Sequence, residues 1–279
     1  MDQPRMVDMA GLSVALTVAA MTRPESLVLF GVMVTPMVLT RTLLEWRQRI
    51  AQLAVAAVIP IAAFAPWVIY NLGRYEEPVT ISTGAGQTLA AGNCEFTYRG
   101  ESTGFYDLRC IEAPAVTGLE GDPSERDLQY REAALRYMSD NRGELPRVMA
   151  ARIGRVWHVY APIQSLNLDG WVEGRAGGAP SGDKSLVIAA LVSYFVLLPL
   201  AIAGGVLLWR RKVRIWPLLV QPALVTVVAA MTFGITRYRA GAEITLVVLA
   251  AVAIVAIQQR LARRAADAPE VEGAGTDGR

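Results

Sequence analysis

Three stretches of this sequence, Ile50 to Tyr70, Ser185 to Trp209 and Ile215 to Ile235, contain no Asp, Glu, Lys or Arg, and Ala240 to Ile257 contains only Glu243. A bilayer core about 30 Å thick is crossed by roughly 20 apolar residues in a helix, so each of the four is of spanning length or close to it. Met9 to Met21 and Ser26 to Thr40 are shorter and apolar, separated by Arg23-Pro24, and are expected to form a pair of short or tilted membrane helices. Pro36, Pro60, Pro66, Pro199, Pro217 and Pro222 lie inside or at the edges of these stretches, where membrane helices tolerate proline better than soluble ones do. A soluble all-α fold would have to wrap several wholly apolar helices in protein. The expectation is a polytopic α-helical membrane protein with five or six transmembrane or short membrane helices.

Basic residues set the orientation. Arg41, Arg47 and Arg49 fall between the second and third apolar stretches, Arg210, Arg211, Lys212 and Arg214 between the fourth and fifth, and Arg260, Arg263 and Arg264 after the last. If every stretch crosses once, all three groups share one side, which is then the cytoplasm. The segment from Asn71 to Lys184 then lies outside the cytoplasm, with 12 basic and 16 acidic residues and no cytoplasmic bias. Met9 to Met21 has neither a basic leader nor a small-residue cleavage site and is followed by Arg23-Pro24-Glu25, so it does not read as a signal peptide. No long basic tract suggests nucleic acid as a partner.

This divides the chain into N-terminal membrane helices (1–70), an extracytoplasmic domain (71–184), C-terminal membrane helices (185–258) and a cytoplasmic tail (259–279). The tail from Ala265 is rich in Ala, Gly, Asp and Glu without an apolar period, and is expected to be disordered. Both cysteines, Cys94 and Cys110, fall in the extracytoplasmic part. In an oxidising compartment they suit a disulfide closing a small loop; the alternative is two free thiols. The only histidine, His158, is far from both, so no metal site is expected.

Within that domain Val79 to Ile111 is polar, aromatic and punctuated by Gly84, Gly86, Gly92, Gly100 and Gly104, which reads as strands and loops and makes the domain mixed α/β. The glycines lack phosphate-loop spacing. From Asp122 the pattern turns helical: Asp122 and Ser124 offer cap chemistry, Glu125 and Asp127 sit in the first turn, and Asn141-Arg142-Gly143 is a stop. A second helix is expected from Glu144 to Tyr160, with Arg147, Arg152 and Arg155 on a solvated face or at lipid headgroups. His158 beside Trp157 reads as interfacial packing rather than as a base.

Charge also appears where the orientation disfavours it. Arg23 with Glu25, and Arg237 and Arg239 flanking Tyr238 with Glu243 one turn further, lie at the non-cytoplasmic ends of apolar stretches. Arginine at such a place is costly unless an anion pairs with it. Lipid phosphate, substrate phosphate and the neighbouring glutamates are the candidates, and arginine's planar fork suits phosphate. The competing reading is an internal salt bridge or headgroup contact that only anchors a helix.

Four pieces in order resemble the polytopic GT-C glycosyltransferases, a group that includes protein mannosyltransferases and lipid A aminoarabinose transferases. They are Leu16 to Leu29 around Thr22-Arg23-Pro24-Glu25; Pro66-Trp67 through Asn71 to Ile81-Ser82-Thr83; Thr83 to Tyr98; and Thr236-Arg237-Tyr238-Arg239 before Glu243. The resemblance covers most of residues 10 to 257. It implies transfer of a sugar from a polyprenyl-phosphate donor to a lipid, glycan or protein on the outer face of a bacterial cell membrane, without a cofactor. Arg23, Arg237 and Arg239 would hold the lipid phosphate, with Glu25, Tyr238 and Glu243 supporting them.

Members of that group carry a catalytic carboxylate in the first outer loop and have about twice as many spans. Here Asp2 and Asp8 precede the first apolar stretch on the expected cytoplasmic side. The resemblance therefore implies the C-terminal portion of such an enzyme, with the general base supplied by upstream sequence or by a partner chain. A non-catalytic membrane subunit that binds a polyprenyl lipid or a partner protein is the alternative. A transporter component is weaker, because no inverted repeat or intramembrane acidic pair is evident.

Overall fold

Pro24 decides how the first membrane segment ends. A residue before proline is pushed out of the helical region, and Arg23 is extended, with φ −141° and ψ 98°. Helix α1 (Met6–Thr22) stops there, and a 3₁₀ turn, Pro24–Leu27, starts the next segment. The computed structural model describes residues 6–40, 44–112, 120–172 and 184–266; every regular element among them is a helix, and none is a strand. The second segment continues through a π turn, Phe30–Val34, into α2 (Thr35–Leu39). Pro36 has no N–H for the carbonyl one turn back and its ring crowds that carbonyl. The helix widens just before it, and the Thr35 hydroxyl donates to the Phe30 carbonyl at 3.0 Å.

Among the described residues three helices are long and apolar enough to cross a membrane: α3 (Trp46–Arg74), α10 (Lys184–Arg210) and α12 (Thr236–Ala266). The 29 residues of α3 extend about 43 Å at the helical rise. Helix α11 (Trp216–Met231) is shorter, at 16 residues. All six apolar stretches are therefore helical, but α12 runs nine residues past the expected Ile257, into the expected tail. The expected tail beyond Ala266 lies outside the described residues.

By internal contacts the chain forms two units, one of residues 1–182 and 217–242, the other of 183–216 and 243–279. In the second, Gly204 of α10 lies against the Leu249 carbonyl of α12 so closely that a Cβ would stand 1.8 Å from that oxygen. Buried Ala201, Ala250 and Ala253 continue the seam of small residues that lets membrane helices approach.

In the first unit α1 packs on α3. The Ser13 hydroxyl donates to the Ala56 carbonyl at 3.1 Å, and Met9, Leu16, Leu29, Val34, Val38 and Ala56 form one buried cluster. After α3 the chain folds back along its end: Trp67 Nε1 donates to the Ile81 carbonyl at 2.8 Å and Asn71 Nδ2 to the Thr80 carbonyl at 3.1 Å.

The expected strands between Val79 and Ile111 are not there. That stretch forms α4 (Ala85–Gly92) and the single turns α5 (Glu95–Tyr98) and α6 (Arg109–Glu112), so the domain is helical rather than mixed. Its glycines serve close packing. A Cβ on Gly86 would lie 1.9 Å from the Asp127 carbonyl oxygen, and one on Gly92 would lie 2.4 Å from that of Thr232. The Asp127 carboxylate accepts the Gly86 N–H at 2.7 Å, satisfying the start of α4. Cys94 and Cys110 are joined in a disulfide that closes the loop holding α5.

Helix α7 (Pro123–Asp140) starts where its cap chemistry indicates: Asp122 accepts the N–H groups of Ser124 and Glu125 at 2.8 and 3.0 Å, and Glu125 accepts the Asp122 N–H at 2.8 Å. The next helix, α8 (Leu145–Val156), ends four residues before the expected Tyr160. A turn follows, in which His158 and Ala161 adopt φ values of 53° and 44°. Helix α9 (Pro162–Val172), not anticipated from the pattern, comes next.

The solvated-face expectation for α8 fails at two of its three arginines. Arg152 and Arg155 are fully buried, and Arg147 is exposed. Arg152 donates to the carbonyls of Ala230 and Gly92 at 3.0 and 2.6 Å and to Asn93 Oδ1 at 2.9 Å. Arg155 donates to the Thr103 and Glu101 carbonyls at 2.7 and 2.8 Å, to Ser165 Oγ at 3.0 Å and to Gln164 Oε1 at 3.0 Å. These partners are neutral. Backbone carbonyls at helix ends and in the disulfide-closed loop carry enough partial charge to hold a guanidinium out of water when several converge.

Candidate functional site: an arginine cluster beside an apolar groove

Arg23 and the Arg237-Tyr238-Arg239 triplet, far apart in sequence, meet. Arg23 Nη2 donates to the Arg237 carbonyl at 2.9 Å, and Arg23 Nη1 lies 3.7 Å from Glu25 Oε1. Glu25, Arg237 and Arg23 are the charged groups whose fields reach the Tyr238 hydroxyl, which shares a side-chain hydrogen bond with Thr232. Arg237 is exposed and Arg239 is buried. Arg23, Glu25 and Arg237 thus share one end of the first unit, while the buried Arg239 lies near His158. Glu243, the last of the sequence-named supporting residues, is exposed further along α12, in the second unit.

His158, which the sequence suggested only as packing, belongs to the same place. It is buried, and burial first and the Arg239 charge second push its imidazole down to about 4, so it is neutral at neutral pH. A neutral imidazole offers one donor and one acceptor beside Arg239 without adding a cation. Its left-handed backbone is a conformation that non-glycine residues keep only where the surroundings impose it.

An aromatic row leads from the disulfide-closed loop to the cluster. Phe105 stacks on Tyr106 with centroids 5.0 Å apart, Tyr106 meets Phe233 at a tilt with centroids 4.9 Å apart, and Phe233 stacks on Tyr238 at 5.5 Å. The row starts inside the loop that the Cys94–Cys110 link closes and ends at Tyr238.

The turn that holds Glu25 also opens onto an apolar groove of about 530 Å³. Leu27, Phe30, Gly31 and Val34 line one wall, and Leu53, Ala56, Pro60, Phe64 and Val68 of α3 the other. Thr80 and Ile81 line it as well. The wide π turn shapes the first wall. No sequence signal marked this groove, because it arises from the local widening before Pro36.

The arrangement combines hydrogen-bond donors of positive charge with an adjoining apolar slot in a membrane-helix segment. Among the described residues no group of His, Cys, Asp and Glu is placed to hold a metal ion. Comparison with protein-family models, curated proteins and solved structures finds no match to this chain.

Proposed function

We propose that this chain is the donor-binding portion of a membrane glycosyltransferase that takes a sugar from a polyprenyl phosphate and passes it to a lipid, glycan or protein. In this reading Asn71 to Lys184 faces away from the cytoplasm of a bacterial cell membrane. The observation that carries it is one short turn, Pro24–Leu27, with the Arg23–Glu25 pair at one end and the apolar groove at the other. An amphiphile with an anionic head and a long apolar tail has those two needs. Arg237 and Arg239 supply the remaining positive charge, and arginine binds phosphate through paired donors. Trp67 and Tyr70, stacked with centroids 5.9 Å apart and with Arg74 over Tyr70, fit the interfacial belt at that end of α3.

The test is binding of a polyprenyl phosphate to the chain in nanodiscs. Arg237→Ala with Arg239→Ala is expected to weaken it at least about tenfold, the equivalent of 1.4 kcal/mol. Unchanged affinity overturns the proposal. Sugar transfer also needs a general base, and Glu25, the carboxylate in the Pro24–Leu27 turn, is paired with Arg23. That pairing favours a second reading, in which the chain binds the lipid and a partner chain supplies the base. Transfer by the purified chain alone would exclude it; transfer that appears only on adding a partner would establish it.

A further inference from the structure

The turn between α8 and α9 lies below the end of a membrane helix, and its exposed side chains are apolar. Trp157 Nε1 donates to Thr226 Oγ1 at 3.0 Å, while that hydroxyl donates to the Pro222 carbonyl at 2.8 Å. Thr226 stands five residues before Met231, where α11 ends, so at the helical rise Trp157 is anchored about 7.5 Å short of that end. The following side chains Val159 and Ile163 are 72% and 65% exposed, and Tyr160 is 43% exposed. From Val156 to Leu168 there is no Asp, Glu, Lys or Arg. On α11 itself Val227 and Met231 are exposed as well.

The turn is held rigidly. The N–H groups of Val159 and Tyr160 both donate to the Gly154 carbonyl, at 2.8 and 3.0 Å. A Cβ on Gly154 would lie 2.6 Å from that of Tyr160, so only glycine permits this return of the chain. Two non-glycine residues in the left-handed region fix the bend. A stiff, charge-free turn that shows two aliphatic side chains and a tyrosine at the depth of a membrane helix's last turns matches the chemistry of the headgroup–acyl boundary, where tyrosine puts its ring in lipid and its hydroxyl in water.

We propose that the α8–α9 turn is a wedge inserted into the leaflet that meets the Met231 end of α11, with Val159, Tyr160 and Ile163 in contact with lipid. The central segment is then seated in the bilayer surface and not suspended above it. The inference rests on reading α11 as a membrane helix.

The test uses single cysteines carrying an environment-sensitive fluorophore in nanodiscs, with the native pair kept as its disulfide. Ile163→Cys reports on the wedge, Val227→Cys on α11, and Leu135→Cys, exposed on the polar helix α7, on water. Lipids with a nitroxide high on the acyl chain are expected to quench the probes at 163 and 227 and to leave that at 135 bright. Quenching at 227 but not at 163 overturns the wedge while α11 remains in the membrane. Absence of quenching at 227 overturns the membrane reading of α11 and the wedge with it. Equal quenching at 135 also overturns the proposal, because insertion would then not be particular to the turn.

Discussion

Arg23 Nη2 donates to the carbonyl of Arg237 at 2.9 Å, joining two positions 214 residues apart. The bond places the loop after α1 on the first turn of α12, and it uses one of arginine's five donors. Arg23→Ala is expected to speed amide exchange across Thr236 to Gly241 in the solubilised protein. Arg23→Lys is expected to restore little of the protection, since one ammonium does not reproduce a fork directed at both Glu25 and a carbonyl. Hydrogen exchange followed by mass spectrometry measures both; unchanged exchange in Arg23→Ala would show that the bond does not hold the helix start.

Gly104 and Gly100 make an internal comparison. Both have left-handed backbones, with φ of 75° and 74°, but a Cβ on Gly104 would meet Ala151 and Arg152 atoms at 2.8 Å, whereas at Gly100 nothing lies within 4 Å. Gly100→Ala should therefore cost only the conformational strain, about 1 kcal/mol. Gly104→Ala should cost clearly more, and the difference should appear in thermal unfolding in detergent.

The Cys94–Cys110 link closes a loop with a sequence separation of 16. A loop of that length restricts the unfolded chain by about 3 kcal/mol in the chain-entropy account. Reduction, or Cys94→Ser with Cys110→Ser, should lower the melting temperature and loosen the aromatic row that ends at Tyr238. Near-ultraviolet circular dichroism reads that row directly. An unchanged signal after reduction would separate the loop from the cluster.

Asp122 carries a pH dependence with a defined sign. Hydrogen bonds from Ser124 and from the Glu125 N–H hold its carboxyl down at about 2, against an ordinary 3.8. Its contribution is complete above the ordinary value and disappears as pH falls from there through about 2. Asp122→Asn keeps a capping oxygen but lacks the charge. The wild-type protein should melt higher than this variant near neutral pH, and the gap should close on acidification through that window.

The apolar runs carried most of the fold. Four charge-free or nearly charge-free stretches that approach or reach spanning length leave few alternatives to membrane helices, and Asp122 with Glu125 marked a helix start to the residue. Arg23 and Arg237 stood out because charge beside an apolar run requires a partner, and the structure brings the two together. The glycine-rich stretch around Gly86 and Gly92 was misread because its meaning lies elsewhere, at the Asp127 and Thr232 carbonyls those glycines approach. Arg152 and Arg155 misled because their partners are mainly backbone groups, which have no signature in side-chain periodicity. The groove before Pro36 and the part played by His158 depend on local backbone geometry that spacing alone does not encode.

Arg152 has a practical consequence for anyone who wishes to study the central segment alone. One of its bonds goes to the Ala230 carbonyl at the end of α11, and the Gly234 N–H donates to the Gly104 carbonyl at 2.8 Å. Excising residues 71–172 would cut both and leave an arginine selected for a dry interior facing solvent. Such a fragment should be proteolytically labile, and soluble-domain expression is the wrong route to its biochemistry. The Arg152–Ala230 and Gly234–Gly104 bonds tie the segment to the chain at the end of α11, so a shift of that helix end is expected to reach the disulfide loop as well.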